Sequence, residues 1–129
     1  MPKAGTFKRA SAPSDGYMMT WWRRAVKRVH GDRCRFCGAH PAGCHHVIHV
    51  TKGVTRHDWR NGIPLCTACH STADSIAGRK RVGEFVDLDY LEAMERYNLK
   101  DFLQERGMSR GEFLRNELDE LKRIVEFGR

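Results

Sequence analysis

Apolar positions in this 129-residue chain fall into patterned stretches separated by turn residues. From Thr20 to His30, Trp22, Val26 and Val29 recur at i, i+4 and i+7 among Arg23, Arg24, Lys27 and Arg28, which predicts a short basic helix closed by Gly31. Two short apolar runs, His45 to Val50 and Ile63 to Leu65, read as the arms of a hairpin. Beyond Gly83 the period turns helical, with Leu88, Leu91 and Met94 in one stripe and Leu99, Phe102 and Leu103 in another that ends at Gly107. Ser109 and Glu112 form a capping box for a third helix, in which Leu114, Leu118, Leu121 and Val125 share one face. Residues 1–16 lack any apolar period and mix Gly, Ser, Pro and Ala with Lys3, Lys8 and Arg9, so they are expected to form a flexible basic arm.

Charge divides the chain. Its 23 Lys and Arg against 16 Asp and Glu give a net +7. Residues 1–60 carry 12 of the basic residues against three Asp, whereas residues 61–129 carry 11 against 13 acids. A polyanionic partner is therefore expected on the first half. No stretch approaches the roughly 20 apolar residues needed to cross a bilayer. The N-terminal MPKAGTFKRASAPSDG lacks a signal peptide's apolar core. These features predict a soluble, cytoplasmic protein without a membrane partner. The length allows one domain with a modest core and excludes a large multidomain enzyme.

The sharpest signal is positional: all five Cys and all seven His lie between His30 and His70. Cys34-Arg35-Phe36-Cys37 and Cys66-Thr67-Ala68-Cys69 are two CxxC pairs with 28 residues between them. In a reducing compartment such pairs read as metal ligands before they read as disulfides. Four thiolates complete a tetrahedral zinc and leave no open position, so this site is expected to staple the fold and to do no chemistry. Cys44 is then surplus and is expected to be a small buried residue on the hairpin. The remaining constellation is Cys44-His45-His46-Val47-Ile48-His49, then Asn61, then His70.

That order, HH…N…CxxCH, resembles the HNH endonucleases of the ββα-metal family over roughly Asp32 to Asp74. The resemblance implies an α+β fold with a small ββα-metal, treble-clef-like zinc module, expected with its preceding basic helix over residues 17–83; the helical periods beyond it predict a helical extension over 84–129. It implies metal-dependent hydrolysis of DNA phosphodiester bonds. His46 would be the general base, a role suited to an imidazole near neutral pH. His45 and His70 would hold a catalytic Mg²⁺ or Mn²⁺ separate from the structural Zn²⁺. Asn61 would hold the strand that carries His46 in register. Adjacent strand residues point to opposite faces, so the roles of His45 and His46 are open to exchange. Asp74 or His49 is a possible third ligand, with Asp74 favoured. His30, His40 and His57 read as solvent-facing or turn residues. A compact chain of this kind is similar to nucleases encoded by phages or mobile elements.

Substrate contacts are expected from Lys52, Arg56 and Arg60 on the loop before Asn61, and from Arg23, Arg24, Lys27 and Arg28 on the basic helix. Trp21, Trp22 and Trp59 read as anchors of a small core, with base stacking as the other option. Duplex or branched DNA fits this chemistry equally well. From Ser109 to Phe127 there are four basic and five acidic residues, which argues against a groove-reading helix. The C-terminal helices are expected to pack on the module, form a homodimer, or dock a partner. The alternative to an enzyme is a catalytically inactive zinc-bound module that binds nucleic acid or recruits a partner.

Overall fold

The computed structural model describes residues 12–40, 42–49, 51 and 53–129. Lys52 and most of the expected basic arm, residues 1–11, lie outside them.

The first helix, α1 (Asp15–His30), starts earlier than its apolar period suggested, because Ser14 caps it by accepting from the Tyr17 N–H. Asp15 and Gly16, read from composition as part of the arm, are its first turn. Its inward face buries Met18, Trp22, Ala25 and Val26. Arg23, Arg24, Lys27 and Arg28 are exposed.

The hairpin pairs β1 (Gly43–His46) with β2 (Gly62–Leu65), His45 opposite Ile63 and His46 opposite Gly62. The first arm is thus shorter and earlier than the expected His45 to Val50. Beyond His46 the backbone no longer faces β2: the N–H and C=O of Ile48 are both taken by the side chain of Asn61. One turn of 3₁₀ helix, Trp59–Asn61, leads into β2. The short α2 (Thr67–His70) starts at the second cysteine pair, with Cys66 at its N-cap, Cys69 within it and His70 as its last residue. After a turn holding Asp74 comes α3 (Ile76–Val82), then α4 (Leu88–Glu95), α5 (Leu99–Glu105) and α6 (Arg110–Phe127).

Two cores flank the hairpin. One joins α1 to α6 through Trp22, Val26, Phe113, Leu114, Leu121 and Ile124. The other gathers Cys34, Val47, Ile48, Ile63, Leu65, Val82 and Leu91 around the cysteine pairs. The apolar face of α6 is therefore used within the chain. Among the described residues no helix is long and apolar enough to cross a membrane. The mixed α+β architecture, with its two-stranded antiparallel sheet and cysteine cluster, is the class expected from the sequence.

Candidate metal centre and histidine cleft

The two cysteine pairs meet. Cys34 N–H donates to the Ala39 carbonyl and Gly38 N–H to the Cys34 carbonyl, folding the first pair into a tight knuckle. Gly38 sits at φ +79°, a conformation that favours glycine. The second pair straddles the start of α2, where His70 N–H donates to the Cys66 carbonyl. The four Sγ atoms all lie within 4.8 Å of one another, with Cys37 and Cys66 3.6 Å apart. Tetrahedral zinc with Zn–S near 2.3 Å needs sulfur edges of about 3.8 Å, so the donor set fits. The thiols also perturb one another. Burial raises Cys34, but N–H groups of Cys66, Cys37 and Phe36 outweigh it and bring the thiol down to about 6. Cys69 is pushed up to about 12 by its hydrogen bond to Cys66, by burial and by the other thiols. A divalent cation relieves that conflict by stabilising all four thiolates. Cys44 stands apart and half-buried, its thiol raised by burial.

Beside this centre lies an open cleft of about 510 Å³ lined by His45, His46, His49, His70 and Asp74, with Arg79 and Glu95 at its side. His45 is 8% exposed, and burial lowers its pKa. Its ring meets that of His70 edge to face at 4.3 Å, and its Nε2 is 3.6 Å from Asp74 Oδ1. Two imidazoles and a carboxylate suit a divalent ion, though their ligand atoms are less tightly gathered than the sulfurs. The four cysteines are the one ligand cluster that tight among the described residues.

His46 turns the other way, as strand alternation requires, yet still lines the cleft. Its ring stacks on Trp22 at 3.8 Å with 4° between planes. Its Nε2 is 2.9 Å from the Arg56 carbonyl oxygen, so Nε2 carries the proton and Nδ1 is the acceptor. Burial, partly offset by that hydrogen bond, brings His46 down to about 4 and leaves it neutral at pH 7.

Asn61 is fully buried and satisfies three backbone groups at once. Oδ1 accepts from Ile48 N–H at 2.6 Å, and Nδ2 donates to the carbonyls of Ile48 and Thr55, both at 3.1 Å. This single side chain fixes the chain immediately after the histidine pair.

The loop arginines do not line the cleft. Arg56 forms a bidentate pair with Asp15, at 2.7 and 2.8 Å. Arg60 grips buried Asp58 through two bonds, at 2.9 and 3.0 Å, and lies 4.0 Å over the Tyr90 ring. Both guanidinium groups, expected to meet substrate, are thus engaged with acidic side chains. His57, expected at the surface, is 5% exposed and bonds Asp15 at 2.8 Å, because the first turn of α1 covers it. His40 is exposed and pairs with Asp32, and His49 is exposed with Nδ1 accepting from Thr51 N–H. Trp22 is a core residue whose indole N–H donates to the Asp58 carbonyl. Trp21 and Trp59 are partly buried against the same core.

Residues 34–75, about a third of the chain, match the family model of the HNH endonucleases. The match spans both cysteine pairs, the histidine pair, Asn61, His70 and Asp74. HNH domains act on nucleic acid, and the match indicates a nuclease-type function for this segment. No curated protein and no solved structure matches the chain.

Proposed function

We propose that the protein is a metal-dependent endonuclease that hydrolyses DNA phosphodiester bonds in the histidine cleft. The observation that carries this reading is the division of labour across the cleft. His45, His70 and Asp74 gather on one side, and a neutral, oriented His46 stands on the other. The residues gathered there fit a divalent ion such as Mg²⁺ or Mn²⁺, which when bound would polarise the phosphate and stabilise the departing alkoxide.

His46 works as the base. Its Nδ1 takes a proton from water as the water oxygen attacks phosphorus; the P–O bond to the leaving alkoxide breaks, and that alkoxide takes a proton from solvent. The Arg56 carbonyl, accepting from Nε2–H, steadies the imidazolium that forms. Trp22 blocks rotation of the ring by stacking on it. Asn61 holds the backbone beyond His46 through Ile48 and ties it to the loop at Thr55.

Arg23, Arg24, Lys27 and Arg28 supply the track for the phosphate backbone. Arg23 and Lys27 flank Cys44 at the rim of the cleft: the Cys44 thiol lies 3.9 Å from the Arg23 carbonyl, and both cations act on it. This binding is expected to weaken steeply with salt. The Zn²⁺ held by Cys34, Cys37, Cys66 and Cys69 takes no part in the reaction.

Supercoiled plasmid incubated with the zinc-loaded protein tests the proposal. Conversion to nicked or linear DNA is expected with Mg²⁺ or Mn²⁺ and none with a chelator that spares the zinc. Intact plasmid under every divalent ion tried overturns it.

A further inference from the structure

Among the described residues lining the cleft, Arg79 carries the one permanent positive charge. It comes from the middle of α3, which Ser75 caps by accepting from Gly78 N–H, so its backbone is fixed close to the Asp74 turn. Its guanidinium is underused. One terminal nitrogen reaches the Val47 carbonyl at 3.4 Å, the long limit of a hydrogen bond. The other lies 3.9 Å from Glu92 Oε1, a carboxylate that is itself 55% exposed. Nε is buried and has no hydrogen-bond partner. A guanidinium with five donors normally finds better company than this.

The imbalance is of the kind a phosphate corrects. The planar fork of an arginine matches two oxygens of a phosphodiester, and charge-assisted bonds of this type are shorter and stronger than neutral ones. Hydrolysis builds negative charge on the non-bridging oxygens, so a cation lining the cleft beside His45 and Asp74 is placed where that charge develops. We propose that Arg79 is a catalytic residue of this cleft, gripping a non-bridging oxygen of the scissile phosphate in the ground state and more tightly in the transition state. The inference rests on the nuclease reading for its chemistry, but the phosphate contact itself does not require cutting.

The competing role is a strut that ties α3 to Val47 and α4, and substitutions separate the two. Arg79→Gln keeps a donor for the Val47 carbonyl and removes the charge, while Arg79→Lys keeps the charge and removes the fork. Plasmid nicking at saturating DNA is expected to fall about 100-fold or more in Arg79→Gln and less in Arg79→Lys, with zinc content and melting temperature unchanged. Affinity for a short, all-oxygen duplex with no catalytic divalent ion added, measured by anisotropy at fixed salt, is expected to weaken about tenfold in Arg79→Gln. Nicking and binding both within threefold of wild type in Arg79→Gln overturn the inference, as does a loss that tracks melting temperature equally in both variants. If wild type itself fails to nick, the nuclease reading falls, and the anisotropy arm alone decides whether Arg79 holds phosphate.

Discussion

Replacing Asn61 with aspartate keeps the side chain's size and its acceptor for Ile48 N–H, but exchanges two N–H donors for a carboxylate oxygen. That oxygen would face the carbonyls of Ile48 and Thr55, each 3.1 Å from the present nitrogen, at a site with no exposure. Two hydrogen bonds worth about 1 kcal/mol each are lost. The buried Ile48 carbonyl loses its donor, at about 1 kcal/mol or more, while the Thr55 carbonyl keeps the Asp58 N–H, and a buried carboxylate beside both is repelled. The expected destabilisation is about 3–5 kcal/mol, a large share of the roughly 5–15 kcal/mol available to a domain. Protonation restores one donor, so the aspartate pKa rises in the folded state and the deficit grows as pH increases. Urea unfolding of zinc-loaded protein, followed by tryptophan fluorescence, measures it. With a slope of about 1–3 kcal/mol/M, the midpoint should fall by roughly 1 M or more at pH 8 and by less at pH 5. A loss under 1 kcal/mol at pH 8, or a loss independent of pH, refutes the reasoning.

Three further outcomes follow from other parts of the fold. Gly62→Ala places a Cβ against Val26 Cγ2 and 2.7 Å from Trp22 Cζ2, so overpacking should cost about 1–3 kcal/mol in thermal unfolding. Glu117 sits on the inner side of α6, where burial and the Asp58 charge outweigh Arg60 and hold it up at about 8. The folded state therefore binds this proton more tightly than the unfolded state, and stability falls as pH rises from about 4.5 through about 8. Glu117→Gln should flatten that slope and unfold at higher urea than wild type at pH 8.5. Stripping zinc, or replacing Cys66 with serine, should abolish near-ultraviolet circular dichroism from the hairpin side and loosen the core around Ile48 and Ile63, with zinc release measured in parallel.

The chemistry-bearing spacing was legible in the chain because ligand and signature residues sit at short, fixed offsets. Two CxxC pairs imply a four-sulfur cluster wherever the chain brings them together, and HH…N…H implies one cleft. The α6 stripe was read one step out of phase. Leu114 and Leu121 are buried as expected, but Phe113 and Ile124 complete the inner face, while Leu118 and Val125 lie at its margin. What stayed hidden depends on partners far apart in sequence. Asp15 meets Arg56 and His57 across more than 40 residues, and Trp22 meets His46 and Asp58 between different elements. No local pattern announces such pairs, so cations read as substrate contacts proved to be engaged within the fold. Arg79 escaped for a related reason: α3 has no apolar period, and only the turn that sets Asp74 beside His45 brings this side chain to the cleft.

The role of His46 as base is tested most directly by His46→Ala, assayed for metal-dependent plasmid nicking while its zinc content is measured on the same sample. His46→Ala should keep one zinc per chain and nick more slowly by about 10²–10⁴-fold. Nicking at the wild-type rate with zinc in place would contradict that role.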